Sequence, residues 1–126
     1  MFELTPTLGG GWTEKILHSF NNNGKDGTIP YFGVVLDAAG NLYGTTYSGG
    51  IHGAGAIFEL TPTAGGGWSE KILRSFGASA ADGATPFASV IVAADGNLYG
   101  TTEDGAFMAA ARCSRSRLSF SLRQCD

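Results

Sequence analysis

Apolar residues in this chain come in short alternating runs that never hold helical spacing, so the pattern predicts strands throughout. The segment GVVLDAAGNLYGTTY reads as a hairpin, outbound over residues 34–37, turning over 38–41 and returning over 42–47. Asp95-Gly96 and Gly96-Asn97 in the matching segment supply the positive backbone dihedrals that a tight turn requires. GAGAIFELTP predicts a third strand at residues 56–61, and GWSEKILRSF a fourth at 68–76, joined through Gly65, Gly66 and Gly67.

The pattern also repeats. Residues 2–50 align with 58–106 without a gap, at an offset of 56, with 29 identities in 49 positions. NLYGTT stands at 41–46 and again at 97–102. Segments this similar adopt the same local fold, and four short antiparallel strands at a fixed period are the signature of a β-propeller blade. The fold class expected is therefore all-β, a partial β-propeller-like array of four-stranded antiparallel blades.

Alternation within the strands places them in such a blade. Trp12, Ile16 and Phe20 share one side of the fourth strand, while Thr13, Lys15 and Ser19 share the other with Leu17, a half-exposed pattern that suits an outer strand. SVIVAA and GVVLDA are apolar on both faces, as an inner strand covered by neighbouring blades would be. One blade cannot cover both of its own faces, so the repeats are expected to lean on one another. The expected organisation is a partial blade of two last strands plus a loop at 1–31, a complete blade and loop at 32–88, a first hairpin at 89–106, and an aberrant basic tail at 107–126. The segment NNNGKDGTIP varies most between copies and retains only Asp26, Gly27 and Pro30 as Asp82, Gly83 and Pro86, which predicts a surface loop anchored by one turn. With so few blades the chain reads as a fragment, or as a unit that associates with itself through open blade edges.

Composition sharpens this picture in two places. Twenty glycines against four prolines fit a chain of many tight turns. The formal charge of −3 hides an asymmetry. Residues 1–106 hold four cations against ten acids, a net of −6, whereas 107–126 hold four arginines against Asp126, a net of +3. An acidic body lacks the clustered cations of a nucleic-acid-binding surface, so no nucleic-acid partner is expected. No apolar run is long enough to span a membrane, and the first residues do not read as a signal peptide. Cys113 and Cys125 both lie in the tail and could pair, but nothing in the body calls for them.

Candidate chemistry is sparse. His52 in GGIHGAG has no evident partner for catalysis or metal binding, and His18 is replaced by Arg74 in the other copy. Asp26 and Asp82 would ligate calcium only if neighbouring carboxylates joined them; turn formation is the reading adopted, since the EF-hand spacing is missing and Asp37 becomes Ala93. Neither GAGAIF nor NNNGKDG fits a phosphate-binding loop. Trp12 and Trp68, beside Glu14-Lys15 and Glu70-Lys71, are expected to be buried blade-to-blade anchors, with a ligand face as the alternative. Tyr43 and Tyr99 are expected to pack with their hydroxyls hydrogen-bonded. No G-x-S-x-G elbow and no N-x-[ST] sequon occurs. No catalytic, cofactor-binding or metal-binding residue is assigned, and no cofactor is expected.

DAAGNLYGTTYSGG, GAGAIFELTPT and EKILHSF together resemble the GloVer tandem repeat of bacterial choice-of-anchor proteins, and the resemblance covers residues 1–106. It implies a propeller-like array in long, exported or cell-surface proteins, and it brings no catalytic or ligand-binding residues with it. Against that pattern the residues given read as too few repeats, with no export or anchoring segment expected among them. The function expected is a non-enzymatic scaffold or binding module whose partner is an unknown ligand or protein. The alternatives are a piece of a propeller enzyme with its site at a channel mouth, and a truncated gene product without an independent role.

After Ala106 the repeat stops. AFMAAARCSRSRL occupies the place of GIHGAGAIFELTP at 50–62 and shares essentially nothing with it. Reading codons from the last base of the Gly105 codon lets ten of those thirteen positions reproduce the first copy. One match is forced, because methionine has a single codon and every alanine codon begins with GC. We read the tail as out of frame. The coding DNA checks this: its wobble bases are expected to restore the glycines and the phenylalanine, leucine, threonine and proline of the FELTP strand in the shifted frame, and bases that fail to do so refute it.

Overall fold

The computed structural model describes residues 1–105 in full, together with the backbone of two strands at 112–116 and 121–122. Among the described residues there is no helix, and so none long and apolar enough to cross a membrane. The strands are β1 (Phe2–Pro6), β2 (Trp12–Ile16), β3 (Gly27–Thr28), β4 (Val35–Leu36), β5 (Leu42–Thr46), β6 (Ser48–Gly49), β7 (Ala56–Pro62), β8 (Trp68–Ser75), β9 (Gly83–Pro86), β10 (Ile91–Val92), β11 (Leu98–Gly105), β12 (Arg112–Ser116) and β13 (Ser121–Leu122). They form several small antiparallel sheets. β1 and β2 pair alone; β4-β5-β7-β8 form a four-stranded sheet; β10-β11-β12-β13 form another, with β9 on β11; and β3 pairs β6.

The two copies use one register. Gly27 faces Gly49 and Thr28 faces Ser48, while 56 residues on Gly83 faces Gly105 and Ala84 faces Asp104. Likewise Leu42 faces Leu60, and Leu98 faces Ser116 in the tail strand. β12 therefore takes the place along β11 that β7 takes along β5. Sheet pairing is made by backbone groups, so it tolerates a change of side chains. The tail's cysteines and arginines lie outside the residues whose side chains are described.

Residues 21–25, 29 and 30 are exposed, as a surface loop requires, and the anchor at Asp-Gly goes deeper than a surface turn. Asp26 and Asp82 are buried, and Gly27 and Gly83 begin strands packed against Thr46 and Thr102. A Cβ on Gly83 would come within 2.7 Å of Thr102 Oγ1, so only glycine lets the backbone approach this closely. Such a contact between positions distant in sequence has no period of its own and is invisible to pattern reading.

The NLYGTT strand collects the fold's contacts. Leu42 enters the core, Gly44 leaves room for the Phe58 ring, and Thr45 Oγ1 donates to the Ala88 carbonyl of the next repeat at 2.9 Å. Thr46 is buried against Gly27. The central sheet then buries both faces. Ile57 and Phe76 pack with Val90 and Leu98 of the following repeat, and Leu42, Phe58 and Leu60 pack against Met1, Leu17 and Phe20 of the preceding one. Hydrogen bonds to backbone carbonyls join in, with Thr85 N donating to the Ala54 carbonyl and Ser89 Oγ to the Gly33 carbonyl.

Equivalent positions show what a neighbour contributes. Phe58 and Leu60 are 1% and 0% exposed, while Phe2 and Leu4, their counterparts on β1, are 60% and 50% exposed. Truncating Phe58 to alanine should cost about 3–5 kcal/mol of unfolding free energy, whereas Phe2→Ala should cost well under about 1 kcal/mol. Urea unfolding of the two variants beside the parent checks this contrast.

Candidate functional site

Each copy closes its variable loop on one buried aspartate. In the first, Asp26 Oδ2 accepts from the Asn21 backbone N–H at 3.0 Å and pairs with His18 Nε2 at 3.1 Å. In the second, Asp82 Oδ2 accepts from the Gly77 and Ala78 N–H groups at 3.1 Å, and Arg74 donates to Oδ1 at 2.6 Å. The aspartates do form turns, as their sequence context predicts. The exchange of His18 for Arg74 looks in sequence like a lost residue, but both side chains reach the aspartate eight positions later. A recurring eight-residue spacing between a basic residue and Asp-Gly was the available signal.

A third group completes the first site. Glu70, carried by β8 of the second repeat, approaches so that one ligand atom each of His18, Asp26 and Glu70 lies within 4.8 Å of the other two. Asp26 Oδ1 and Glu70 Oε1 are buried and accept no hydrogen bond. Burial pushes the Glu70 carboxyl up from its ordinary range, the Asp26 charge adds to this, and His18 opposes it. These are the residues among those described that could hold a metal ion. Sequence reading separated them because Glu70 and Asp26 lie in different repeats.

A second polar cluster sits at the β4–β5 turn. Asp37 Oδ1 accepts from the Ala39 and Asn41 N–H groups at 2.9 Å, and Oδ2 from Asn41 Nδ2 at 2.8 Å and the Tyr43 hydroxyl at 3.0 Å. Tyr43 also lies 2.9 Å from Glu59 Oε1, so its single proton serves one carboxylate at a time. The Asn41 hydrogen bonds hold the Asp37 carboxyl below its ordinary range. Burial, then Glu59 and Asp37, push the Tyr43 phenol above its ordinary value. In the other copy Asp95 replaces Asp37 from two positions further along the turn and accepts from Asn97. Leu36, Asp37 and Tyr43 face Val92, Ala93 and Gly96 across a groove of about 400 Å³ between the two turns.

The remaining candidates stay apart. His52 is exposed on the β6–β7 connection. Trp68 is half-buried against Leu42, Phe58 and Leu60, but Trp12 is 65% exposed, which corrects the expectation that both tryptophans are buried anchors. The physical reason is the missing cover over β1 and β2. Tyr31, Phe32, Tyr47 and Phe87 form an aromatic group of edge-on and tilted pairs, with ring centroids 5.1–6.4 Å apart, that the strand pattern did not foresee.

A Gloeobacter/Verrucomicrobia repeat matches residues 1–112, and the chain belongs to that repeat family. Neither a curated protein nor a solved structure matches it.

Removing the second anchor with Asp82→Ala takes the Asp82 carboxylate from Arg74 and from two N–H groups and should cost about 2–3 kcal/mol. Arg74→His, which copies the first repeat, should cost less; thermal unfolding of both variants checks the order. For Tyr43, the folded chain keeps the phenol neutral past 10.0, where an unfolded tyrosine ionises. Its contribution is therefore whole below that pH and declines above it. Tyr43→Phe should lower stability by about 1 kcal/mol at about pH 8, and the gap from the parent should shrink by about pH 11. Denaturant unfolding at both pH values reads it.

Proposed function

We propose that the chain is a module of a propeller-type repeat array, acting as a non-enzymatic scaffold or binding surface. The observation that carries this reading is the covering of the central sheet on both faces by its neighbours in sequence. Blades that support one another extend into an array, and the outward surface is then free to vary without loss of fold. The polar side chains fit the same reading. Asp26, Asp82, Asp37 and Asp95 all accept hydrogen bonds within their own turns, which is structural work. In the groove between the turns the Asp37 carboxylate and the Tyr43 hydroxyl are already engaged by Asn41, by Glu59 and by each other, which fits a structural role.

Mutual support is testable in the intact chain. Val90 belongs to the hairpin that follows the central sheet but packs on Ile57 and Phe76 of that sheet. Val90→Asp should therefore lower hydrogen-exchange protection in β7 as well as in β10 and β11, by at least about tenfold. Full protection of β7 beside unprotected β10 and β11 would mean that the blades stand alone, and the array reading would fall.

A further inference from the structure

We propose that His18, Asp26 and Glu70 form a binding site for a divalent transition-metal ion of the zinc class. The first argument is the donor set. An imidazole nitrogen with two carboxylates suits a borderline cation, whereas calcium takes six to eight oxygens. The second is burial. The Asp26 side chain is only 5% exposed, and its Oδ1, like Glu70 Oε1, is shut off from water without a donor. Two carboxyl groups meeting in a buried place require a positive partner.

The third argument comes from comparing the copies. Beside Asp82 the second repeat sets the permanent charge of Arg74, and the aspartate's anionic form is matched. The first repeat has His18 in place of that guanidinium, a residue that can ligate a metal, and there Glu70 approaches from the neighbouring copy. A bound cation would fill the electrostatic role that Arg74 fills elsewhere. Around a tetrahedral zinc the ligand atoms lie about 3.3 Å apart. Closing the present separations, up to 4.8 Å, asks for a small rotation of the partly exposed Glu70 side chain. His18 Nε2 would exchange its contact with Asp26 Oδ2 for the metal, and the half-buried imidazole leaves a path from solvent. Because His18 and Asp26 belong to the first repeat and Glu70 to the second, the ion would staple the two together. This inference stands apart from the scaffold reading.

The rival is a single proton shared by Asp26 and Glu70. The test uses the full chain with Cys113→Ser and Cys125→Ser, so that tail thiolates do not compete, stripped with chelator and titrated with zinc chloride by calorimetry and thermal unfolding. One equivalent should bind and raise the melting temperature, with calcium chloride giving no such rise. His18→Arg, which copies the arrangement at Arg74, and Glu70→Gln should each weaken zinc binding at least tenfold, while His52→Ala leaves it unchanged. Absence of stoichiometric binding overturns the proposal, as does binding that survives both His18→Arg and Glu70→Gln. If zinc does not bind and Glu70→Gln alone stabilises the metal-free chain at neutral pH, the shared proton is the correct account.

Discussion

Everything in this fold depends on a strand that is apolar on both of its faces. β7 sends Ile57 to one side and Phe58 and Leu60 to the other, and all three are buried. A single four-stranded sheet cannot cover both sides of its own inner strand, so each side must find another repeat. Burying a side chain of this size contributes about 1.5–3 kcal/mol. The contrast between Phe58 and Phe2, identical residues at equivalent positions, shows that this contribution comes from the neighbour and not from the residue.

The joints between repeats follow from that need. Apolar cover brings the sheets together, and a few polar contacts then set their orientation. Thr45, Ser89 and the Thr85 amide each reach a carbonyl of the adjoining repeat. The loop that leads from one unit to the next is held by its aspartate, at Asp26 and at Asp82, with a basic side chain from the end of the preceding strand or segment. Glycine at 27 and 83 then lets the chain pass close beside a buried threonine. The identities preserved between copies thus include positions where side chains meet across an interface, such as Val90, the counterpart of Val34, and positions where a side chain would not fit, such as Gly27 and Gly83.

Divergence between the copies is equally informative. Asp37 and Asp95 sit at different positions of their turns yet each anchors the asparagine that ends it, so the hydrogen bond persists while the residue moves. His18 and Arg74 differ in charge and geometry but face the same partner. A position-by-position comparison records both pairs as losses. The spatial comparison records them as equivalent solutions, because a carboxylate's reach spans more than one backbone position.

The sequence by itself determined the four strands of the main sheet, the turn between residues 38 and 41, the dependence of one repeat on another and membership of the repeat family, but not the short strands at Gly27–Thr28, Ser48–Gly49 and Gly83–Pro86. The features it determined rest on local alternation, on turn chemistry and on self-similarity, each of which is written along the chain. Tertiary structure alone decided that Asp26 is buried, that Trp12 is exposed, that Gly27 abuts Thr46, and that Glu70 meets His18. These depend on which surfaces approach in space. Contacts across tens of residues leave no periodic trace, and the burial of a large side chain is settled by the neighbour that covers it.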